Sequence, residues 1–318
     1  MSYSCRNARP LQSSRLRRAG TLRHKFARCL RLEPLESRIV LTSYLVDTLD
    51  ESNASDGQIS LREALTAAND NLAFGDAPAG QSGPGNIDTI TFAPSLSGGE
   101  ITLSTLRSLT ISDSISIFDT NSTPLSIDGS GLSRIFEIAP NTANVSISNL
   151  TLQSGDAATE SENVGGAILI GAGAELTLDQ VVLLNNTADD GGAIYNAGGT
   201  LDVSQSAFTS NSAAASSGSG GAIFSANGNF SVTKSAFTFN HATRAGGAIE
   251  IIDGTVSIQS TNFISNDVNG LAGPAAPGNG GALHVTGIAD VTVDGGLIIG
   301  NKAASEGGGF WNQVGSTL

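Results

Sequence analysis

Short runs of alternating apolar and polar residues cover most of the chain after residue 86. Between residues 87 and 155 the alternation is irregular, as in Ile101–Leu103 and Ile115–Ile117. Alternation with a period of two residues places the apolar side chains on one face of a β-strand. Beyond residue 155 the runs recur at similar intervals, as Glu175–Leu178, Thr200–Val203, Asn229–Val232, Thr255–Ile258 and Asp290–Val293. The pattern predicts an all-β body of many short strands.

One segment has helical rather than strand periodicity. The apolar residues Leu61, Ala64, Leu65 and Ala68 follow the i, i+3, i+4, i+7 spacing of one helix face. Ser60 and Glu63 have the Ser-x-x-Glu spacing of a capping box, in which each side chain bonds a backbone N–H of the first turn. The spacing predicts a helix over residues 60–70 that caps the β-structure. Capping and a surface ion pair explain Glu63 and its neighbour Arg62 better than a catalytic pair does.

Two motifs recur in alternation through residues 156–311. One is a glycine pair followed by small and apolar residues, and the other is an apolar residue three positions before an asparagine. The glycine pairs are Gly165–Gly166, Gly191–Gly192, Gly220–Gly221, Gly246–Gly247, Gly280–Gly281 and Gly307–Gly308. The asparagines are Asn186, Asn211, Asn240, Asn266 and Asn301. Successive glycine pairs are 26 to 34 residues apart.

This repetition predicts a right-handed, single-stranded parallel β-helix, a pectin-lyase-like solenoid in which each strand pairs with its counterpart one coil away. Antiparallel sandwiches and barrels, the alternative, do not require the same residue at the same phase of every repeat. The handedness follows from the strong bias of parallel crossovers. The glycines suit tight turns. We expect the asparagines to stack as a structural ladder that satisfies buried turn backbone.

The composition divides the chain further. Residues 1–43 contain ten of the 16 basic residues and two of the 29 acidic ones, so the remaining body holds six basic and 27 acidic residues, a net charge of −21. An acidic body disfavours nucleic-acid binding. No apolar run reaches the ~20 residues of a membrane-spanning helix. Both cysteines, Cys5 and Cys29, lie in the basic segment, so no disulfide can stabilise the body.

The predicted organisation is a basic leader for export (1–43), an N-terminal cap (44–86) and a parallel β-helix (87–318). The β-helix comprises irregular coils over 87–155, repeats over 156–311 and an incomplete C-terminal end. After Gly307–Gly308 come Gly309, Phe310 and Trp311 and then only residues 312–318. An uncovered last coil exposes unpaired backbone and apolar side chains. We therefore expect self-association through this open coil, and folding that does not depend on residues 1–43.

Three parts of the chain resemble known families. Leu32–Ser43, behind its basic stretch, resembles the LEPR-XLL-type N-terminal motif of large planctomycete surface proteins, which implies export. The cap resembles the CSLREA domain found before β-helical repeats, although Ile59 stands where that family has cysteine. The CSLREA resemblance rests on Ser60–Ala64, Ala68–Asn69, Asp88–Phe92 and Ser133–Phe136. Residues 165–310 resemble the repeat of the chlamydial polymorphic outer membrane proteins, which implies a surface-exposed, outer-membrane-associated adhesin.

The sequence offers little for catalysis. Residues 156–318 contain Lys234, Arg244 and Lys302 as their cations, whereas polysaccharide lyases and hydrolases, the alternative function, need clustered bases or carboxylates. We expect Asp189 and Asp190 to lie in a solvated turn, and His241 occupies a position that varies between repeats. No cofactor is expected. The acidic turn residues Asp47, Asp50, Glu51 and Asp56 leave Ca²⁺ open, although their spacing is not that of an EF-hand.

The sequence therefore predicts an exported, extracellular or outer-membrane-associated repeat protein without catalytic residues. Its role would be structural or adhesive, with a surface glycan or a protein as the partner.

Overall fold

A computed structural model describes residues 42–83, 85–103, 107–269 and 278–318. Nearly all elements in these residues are β-strands that pair in parallel with strands of the neighbouring coils, and one is an α-helix. The strands stack into a β-solenoid of about seven turns. The predicted all-β parallel β-helix with one short helix is confirmed, and the handedness of its coil stays a prediction.

The irregular N-terminal part and the regular repeats each have their own set of elements. The first part contains β1 (Ser43–Val46), α1 (Leu61–Asp70), β2 (Asp88–Phe92), a 3-10 turn (Pro94–Leu96), β3 (Glu100–Thr102), β4 (Leu109–Ile111), β5 (Ile115–Phe118), β6 (Leu125–Asp128), β7 (Phe136–Ile138), β8 (Val145–Ser148) and β9 (Leu150–Gln153). The repeats contain β10 (Ile168–Ile170), β11 (Glu175–Asp179), β12 (Val182–Leu184), β13 (Thr187–Ala188), β14 (Ile194–Asn196), β15 (Thr200–Ser204), β16 (Ala207–Thr209), β17 (Ser212–Ala213), β18 (Ile223–Ala226), β19 (Asn229–Thr233), β20 (Ala236–Thr238), β21 (His241–Ala242), β22 (Ile249–Gln259), β23 (Asn262–Ile264), β24 (Asp267–Val268), β25 (Leu283–Asp294), β26 (Ile298–Ile299), β27 (Lys302–Ala303) and β28 (Phe310–Asn312).

Three parallel sheets form the walls of the solenoid. The first sheet combines two sets of strands, those directly after the glycine pairs and the alternating strands that follow them. The two sets belong to one sheet because β22 and β25 each continue from the first set into the second. The second sheet runs β26-β23-β20-β16-β12-β9-β6-β3, and the third runs β13-β17-β21-β24-β27. The sequence predicts two separate strands where β22 and β25 are continuous. The difference arises because β22 and β25 keep pairing beyond an irregularity between Ile252 and Gly254.

The third sheet adds a fourth short strand to each regular repeat. Its strands begin directly after the asparagines, at residues such as Thr187 and Ser212. Their second residues point inward, and Ala213, Ala242 and Val268 form a small buried cluster. The asparagine turn thus leads into an extended pair of residues that continues the parallel pairing.

Inward side chains stack in columns to form the core. In the second sheet, Phe208 stacks on Phe237 with ring centroids 4.5 Å apart, and Phe237 stacks on Phe263 at 5.1 Å. All three rings are fully buried. Because burying one large apolar side chain stabilises a fold by about 1.5–3 kcal/mol, such columns are the main source of stability in a body without disulfides.

Helix α1 covers the N-terminal end of the coils. Its apolar face, which includes Leu61 and Leu65, is buried in the same core as the strands. The polar side of the helix is joined to the segment around β4, since Asn69 Nδ2 donates to Thr110 O at 2.8 Å and Ser112 N–H donates to Asn69 Oδ1 at 2.8 Å. The cap therefore packs by apolar contact and is oriented by hydrogen bonds.

Arg134 ties the irregular coils to the first regular repeat. Its side chain is buried and donates to the carbonyls of Glu162 (2.7 Å), Val164 (2.9 Å) and Gly165 (3.1 Å). Burial lowers the pKa of the guanidinium, while nearby carboxylates led by Glu160 oppose this effect. Arg134 thus satisfies carbonyl groups of the turn that precedes β10.

The described fold begins before the predicted boundary at residue 44, and its last coils expose apolar residues. Most of the leader lies outside the described residues, but Ser43 already belongs to β1 and Thr42 N–H donates to Asp88 Oδ1 at 3.3 Å. At the other end, the coil containing β26 exposes Leu297, Ile298 and Ile299 by about half. Self-association through this coil stays a prediction.

Candidate functional site

The five asparagines of the repeats lie in one column along the solenoid. The first four are fully buried, and each donates both its backbone N–H and its Nδ2 to the Oδ1 of the asparagine in the next coil. Those side-chain bonds are 2.9 Å long. Each Nδ2 also donates to a carbonyl of the preceding coil, as Asn240 does to Phe208 O at 3.0 Å. The asparagine ladder therefore pairs turn backbone that water does not reach.

The ladder begins at a backbone group rather than at another asparagine. Gly155 N–H donates to Asn186 Oδ1 at 2.8 Å, so the last irregular coil fills the place of a preceding asparagine. At the opposite end, Asn301 Nδ2 donates to Phe263 O at 2.9 Å. The ladder thus extends through all the regular coils as a structural device.

The glycine pairs form the corners that precede the strands of the first sheet. The first glycine of each pair has a positive φ, between 61° and 66°. In each pair but the last, the second glycine faces the backbone carbonyl of the second glycine in the next coil. A Cβ built on Gly221, for example, would lie 2.1 Å from Gly247 O. These glycines are therefore needed for the close stacking of the corners.

Ser60 and Glu63 form the capping box of α1. Glu63 N–H donates to Ser60 Oγ at 3.2 Å, and Ser60 N–H donates to Glu63 Oε2 at 3.0 Å. Arg62 pairs with Glu51, and burial, reinforced by Arg107, lowers the pKa of the Arg62 guanidinium. These contacts give Arg62 and Glu63 structural partners.

The acidic turn residues near the cap act mainly as hydrogen-bond acceptors. Asp47 Oδ1 accepts from Ile59 N–H at 2.8 Å, and Asp56 Oδ1 accepts from Gln58 N–H at 3.0 Å. In the part of the chain that the structure describes, no group of three or more His, Cys, Asp or Glu side chains is arranged to hold a metal ion. Calcium binding at Asp47, Asp50, Glu51 and Asp56 stays a prediction.

Asp189 and Asp190 occupy different environments. Asp189 is exposed, whereas Asp190 is half-buried and accepts from Ser219 N–H at 2.8 Å. Burial raises the pKa of Asp190, and Glu250 and Asp189 add to the rise, while Ser219 N–H and Arg244 oppose it. The expected solvated turn is therefore wrong for Asp190, because the neighbouring coil covers it.

We predict that Asp190→Asn stabilises the protein at pH 7. A carboxyl group whose pKa is raised in the folded state contributes to the free energy of unfolding when it is protonated. This contribution is complete below the unfolded pKa of about 3.9 and is lost as the pH rises through the folded pKa. Asparagine mimics the protonated group and keeps an oxygen for Ser219 N–H. The gain in melting temperature (Tm) should be present at pH 7 and absent at pH 3, with the exposed Asp189→Asn as control. An equal gain at both pH values would contradict the explanation.

His241 belongs to a small polar cluster on the outer surface of the third sheet. Its Nδ1 lies 3.2 Å from Asp267 Oδ2, and its Nε2 lies 3.4 Å from Asn269 Nδ2. A tautomer with the proton on Nδ1 satisfies both contacts, because Asn269 then donates to the free Nε2. Lys302 is the register partner of Asp267 in the next coil. The sequence singled out His241 but not the residues it contacts.

A second polar cluster lies on the outward face of the first sheet. Tyr195, Phe224, Glu250, His284 and Trp311 occupy one register column. Glu250 is 0% exposed and His284 is 3% exposed. Repeats with alternating patterns place polar residues at such outward positions, so no feature of the sequence indicates that this pair is buried.

This buried cluster combines one cation, one carboxylate and one imidazole. Arg244 Nη2 lies 3.5 Å from Glu250 Oε1, and His284 Nδ1 lies 2.7 Å from Glu250 Oε2 outside hydrogen-bond geometry. The His284 ring stacks on Trp311 with centroids 4.5 Å apart. Arg244 Nε also donates to Ser219 Oγ at 2.8 Å. The cluster links neighbouring coils electrostatically, and its burial keeps a large substrate from the carboxylate.

Two shallow depressions lie on the outward face of β11, β15, β19 and β22. A shallow depression of about 360 Å³ is lined by Thr200, Asp202, Asn229, Phe230, Ser231, Thr255 and Ser257. A second depression of about 300 Å³ shares Thr200 and Asp202 with it. Asp202 Oδ1 accepts from Ser231 Oγ at 2.6 Å. This face offers hydroxyl, amide and carboxylate groups, and no cation lines either depression.

None of the helical segments in the described residues has the length and apolar character needed to cross a membrane. The family model of the Chlamydia polymorphic membrane protein repeat matches residues 180–197. No curated protein and no solved structure matches the chain. The matched segment runs from the end of β11 through Asn186 and the Gly191–Gly192 corner to β14. Residues 180–197, part of one coil of this parallel β-solenoid, are thus similar to a Chlamydia polymorphic membrane protein repeat.

Proposed function

We propose that the chain is an exported binding module of the cell surface, associated with the outer membrane, which holds a glycan or protein partner. The observation that carries this proposal is the similarity of residues 180–197 to the Chlamydia polymorphic membrane protein repeat, located in one coil of a solenoid. That similarity and the β-helix fit a surface-associated repeat protein. To this surface association the proposal adds export of the chain and adhesion to a partner.

The distribution of side chains supports binding through the outer faces. The core columns and the asparagine ladder are repeated from coil to coil, whereas outward positions differ, as Thr187, Ser212, His241, Asp267 and Lys302 do along the third sheet. A rigid scaffold with variable outward residues can present many weak polar contacts along its length. Recognition would therefore depend on particular coils.

We further propose that the chain performs no catalysis. Of the three cations in residues 156–318, Arg244 contacts the buried carboxylate of Glu250. Lys302 lies beside Asp267. A polyuronate lyase needs a base and cations at its anionic substrate. An adhesive role requires none of these groups.

The test uses intact cells that produce the full chain with a C-terminal epitope tag. We expect antibody labelling of the tag on unpermeabilised cells and retention of these cells on an array of immobilised glycans and purified surface proteins. Deleting residues 1–41, which spares Thr42 and Ser43 for the cap, should reduce both signals to background. The control is Cys5→Ser with Cys29→Ser, which keeps the leader charge.

The outcomes separate the two halves of the proposal. Undiminished surface labelling of the deleted chain would show that the leader does not direct export. Labelled cells that bind nothing on the array would contradict the adhesive role. Loss of labelling in the double cysteine variant would indicate attachment through a cysteine instead of export by charge and motif.

A further inference from the structure

Phe239 adopts a left-handed backbone conformation that a bulky aromatic residue does not favour. The residue before each ladder asparagine has a positive φ, and at four of these positions it is Asn, Ser or Gly, as at Asn185 and Ser210. The fifth is Phe239, with φ of 56°. A bulky residue in the left-handed region is a genuine outlier. The chain therefore retains an aromatic ring at a position where a small residue is less strained.

Burial does not compensate for this strain. Phe239 is 59% exposed, so its ring contributes little to the apolar core. It flanks the buried Asn240 on one side, as His241 does on the other, and both side chains reach the outer surface. Strained residues that packing does not explain are found at binding sites. The position of Phe239 thus indicates a use for the ring outside the fold.

The polar cluster around His241 indicates which kind of ligand could bind there. His241 contacts Asp267 through Nδ1 and Asn269 through Nε2, so one imidazole positions a carboxylate and an amide at the surface. With Lys302 as the register neighbour of Asp267, the formal charges of the two side chains cancel. Phe239, two residues before His241 in the chain, adds an exposed aromatic ring to these donors and acceptors of no net charge. This combination suits a neutral ligand with both C–H and hydroxyl groups.

We propose that Phe239, His241, Asp267 and Asn269 form a subsite for one pyranose ring of a neutral polysaccharide. This inference rests on the proposed adhesive function and specifies its ligand. The electron-rich face of Phe239 would stack against the C–H face of the sugar. Asp267 accepts from sugar hydroxyls and Asn269 both donates and accepts. His241 is a positioning residue. The acidic body, with its net charge of −21, disfavours polyanionic glycans.

The experiment measures binding of the full chain to cellohexaose, maltohexaose and mannohexaose by saturation-transfer NMR and titration. We expect one of these neutral hexasaccharides to bind. Phe239→Gly should weaken that binding about tenfold or more, yet raise the Tm by about 2–4 °C because glycine accepts the left-handed conformation. Ser210→Gly, at the same position one coil earlier, is the control and should leave binding unchanged. Phe239→Trp should retain binding.

Other outcomes overturn the inference. If a hexasaccharide binds equally to wild type and Phe239→Gly, the subsite lies elsewhere while the adhesive function stands. If none binds and a lysine-rich peptide binds through Phe239 instead, the site takes a cation. If none binds and Phe239→Gly leaves the Tm unchanged, the conformation of Phe239 carries no functional strain. Failure of the cell-surface array, by contrast, would contradict the adhesive function itself.

Discussion

Replacing Gly221 with alanine is expected to destabilise the solenoid by about 3 kcal/mol or more, because backbone cannot yield as a flexible side chain does. The added Cβ would lie 2.1 Å from Gly247 O and 2.5 Å from His241 O. Both neighbours belong to the next coil, so the substitution would force two stacked corners apart. Thermal unfolding and hydrogen exchange of the surrounding coils measure the effect.

The same motif provides a matched control for this prediction. Gly308 is also the second glycine of its pair, but a Cβ there would meet only Asn301 O, at 3.3 Å. If close stacking determines the cost, Gly308→Ala should lower the Tm far less than Gly221→Ala. Equal losses in both variants would show that the glycine pair is needed for its local turn instead of for contact between coils.

Residues that recur at one phase of the repeat were the most predictable part of the molecule. A parallel solenoid superimposes equivalent positions, so Asn211 and Asn240 had to lie one above the other once the fold was assigned. The capping box at Ser60 and Glu63 was predictable for a different reason, since its partners are only three residues apart. Both predictions depend on spacing alone.

The corners between strands were less predictable. Whether the chain turns or continues as a strand at Asp253–Gly254 depends on pairing with the next coil, and β22 pairs with β25 on both sides of this point.

The sequence also did not predict an inward polar pair. Asn196, fully buried, binds Gly199 N–H at 2.8 Å and lies 3.3 Å from Ser225 Oγ. Such contacts depend on register between coils.

The buried pair of Glu250 and His284 shows the same limit for a candidate site. In the regular repeats their register column runs through Leu169, Tyr195 and Phe224 before it changes to charged residues, and no local signal marks the change. The sequence identified His241 as a variable position, but Asp267 and Asn269 are 26 and 28 residues away in the chain. Contacts between side chains of different coils can be predicted only when the exact length of each repeat is known.

The second large effect is expected for Asn240→Ala in the middle of the ladder. Alanine removes the oxygen that accepts from Asn211 N–H and Nδ2, and removes the Nδ2 that donates to Phe208 O and Asn266 Oδ1. All of these groups are buried, and each group left unpaired costs about 1–3 kcal/mol. We expect a loss of stability of about 3 kcal/mol or more, measured by thermal or denaturant unfolding.

Two further variants distinguish the ladder from a general effect of asparagine. Asn53→Ala removes an exposed asparagine and should leave the Tm within experimental error. Asn240→Asp keeps the accepting oxygen but replaces the donating Nδ2 with a second oxygen, which would face Phe208 O and Asn266 Oδ1. It should therefore also destabilise the fold, and more strongly at pH 7 than at pH 3, because protonation restores a donor. An aspartate variant as stable as wild type at pH 7 would show that the amide donors of the ladder contribute nothing.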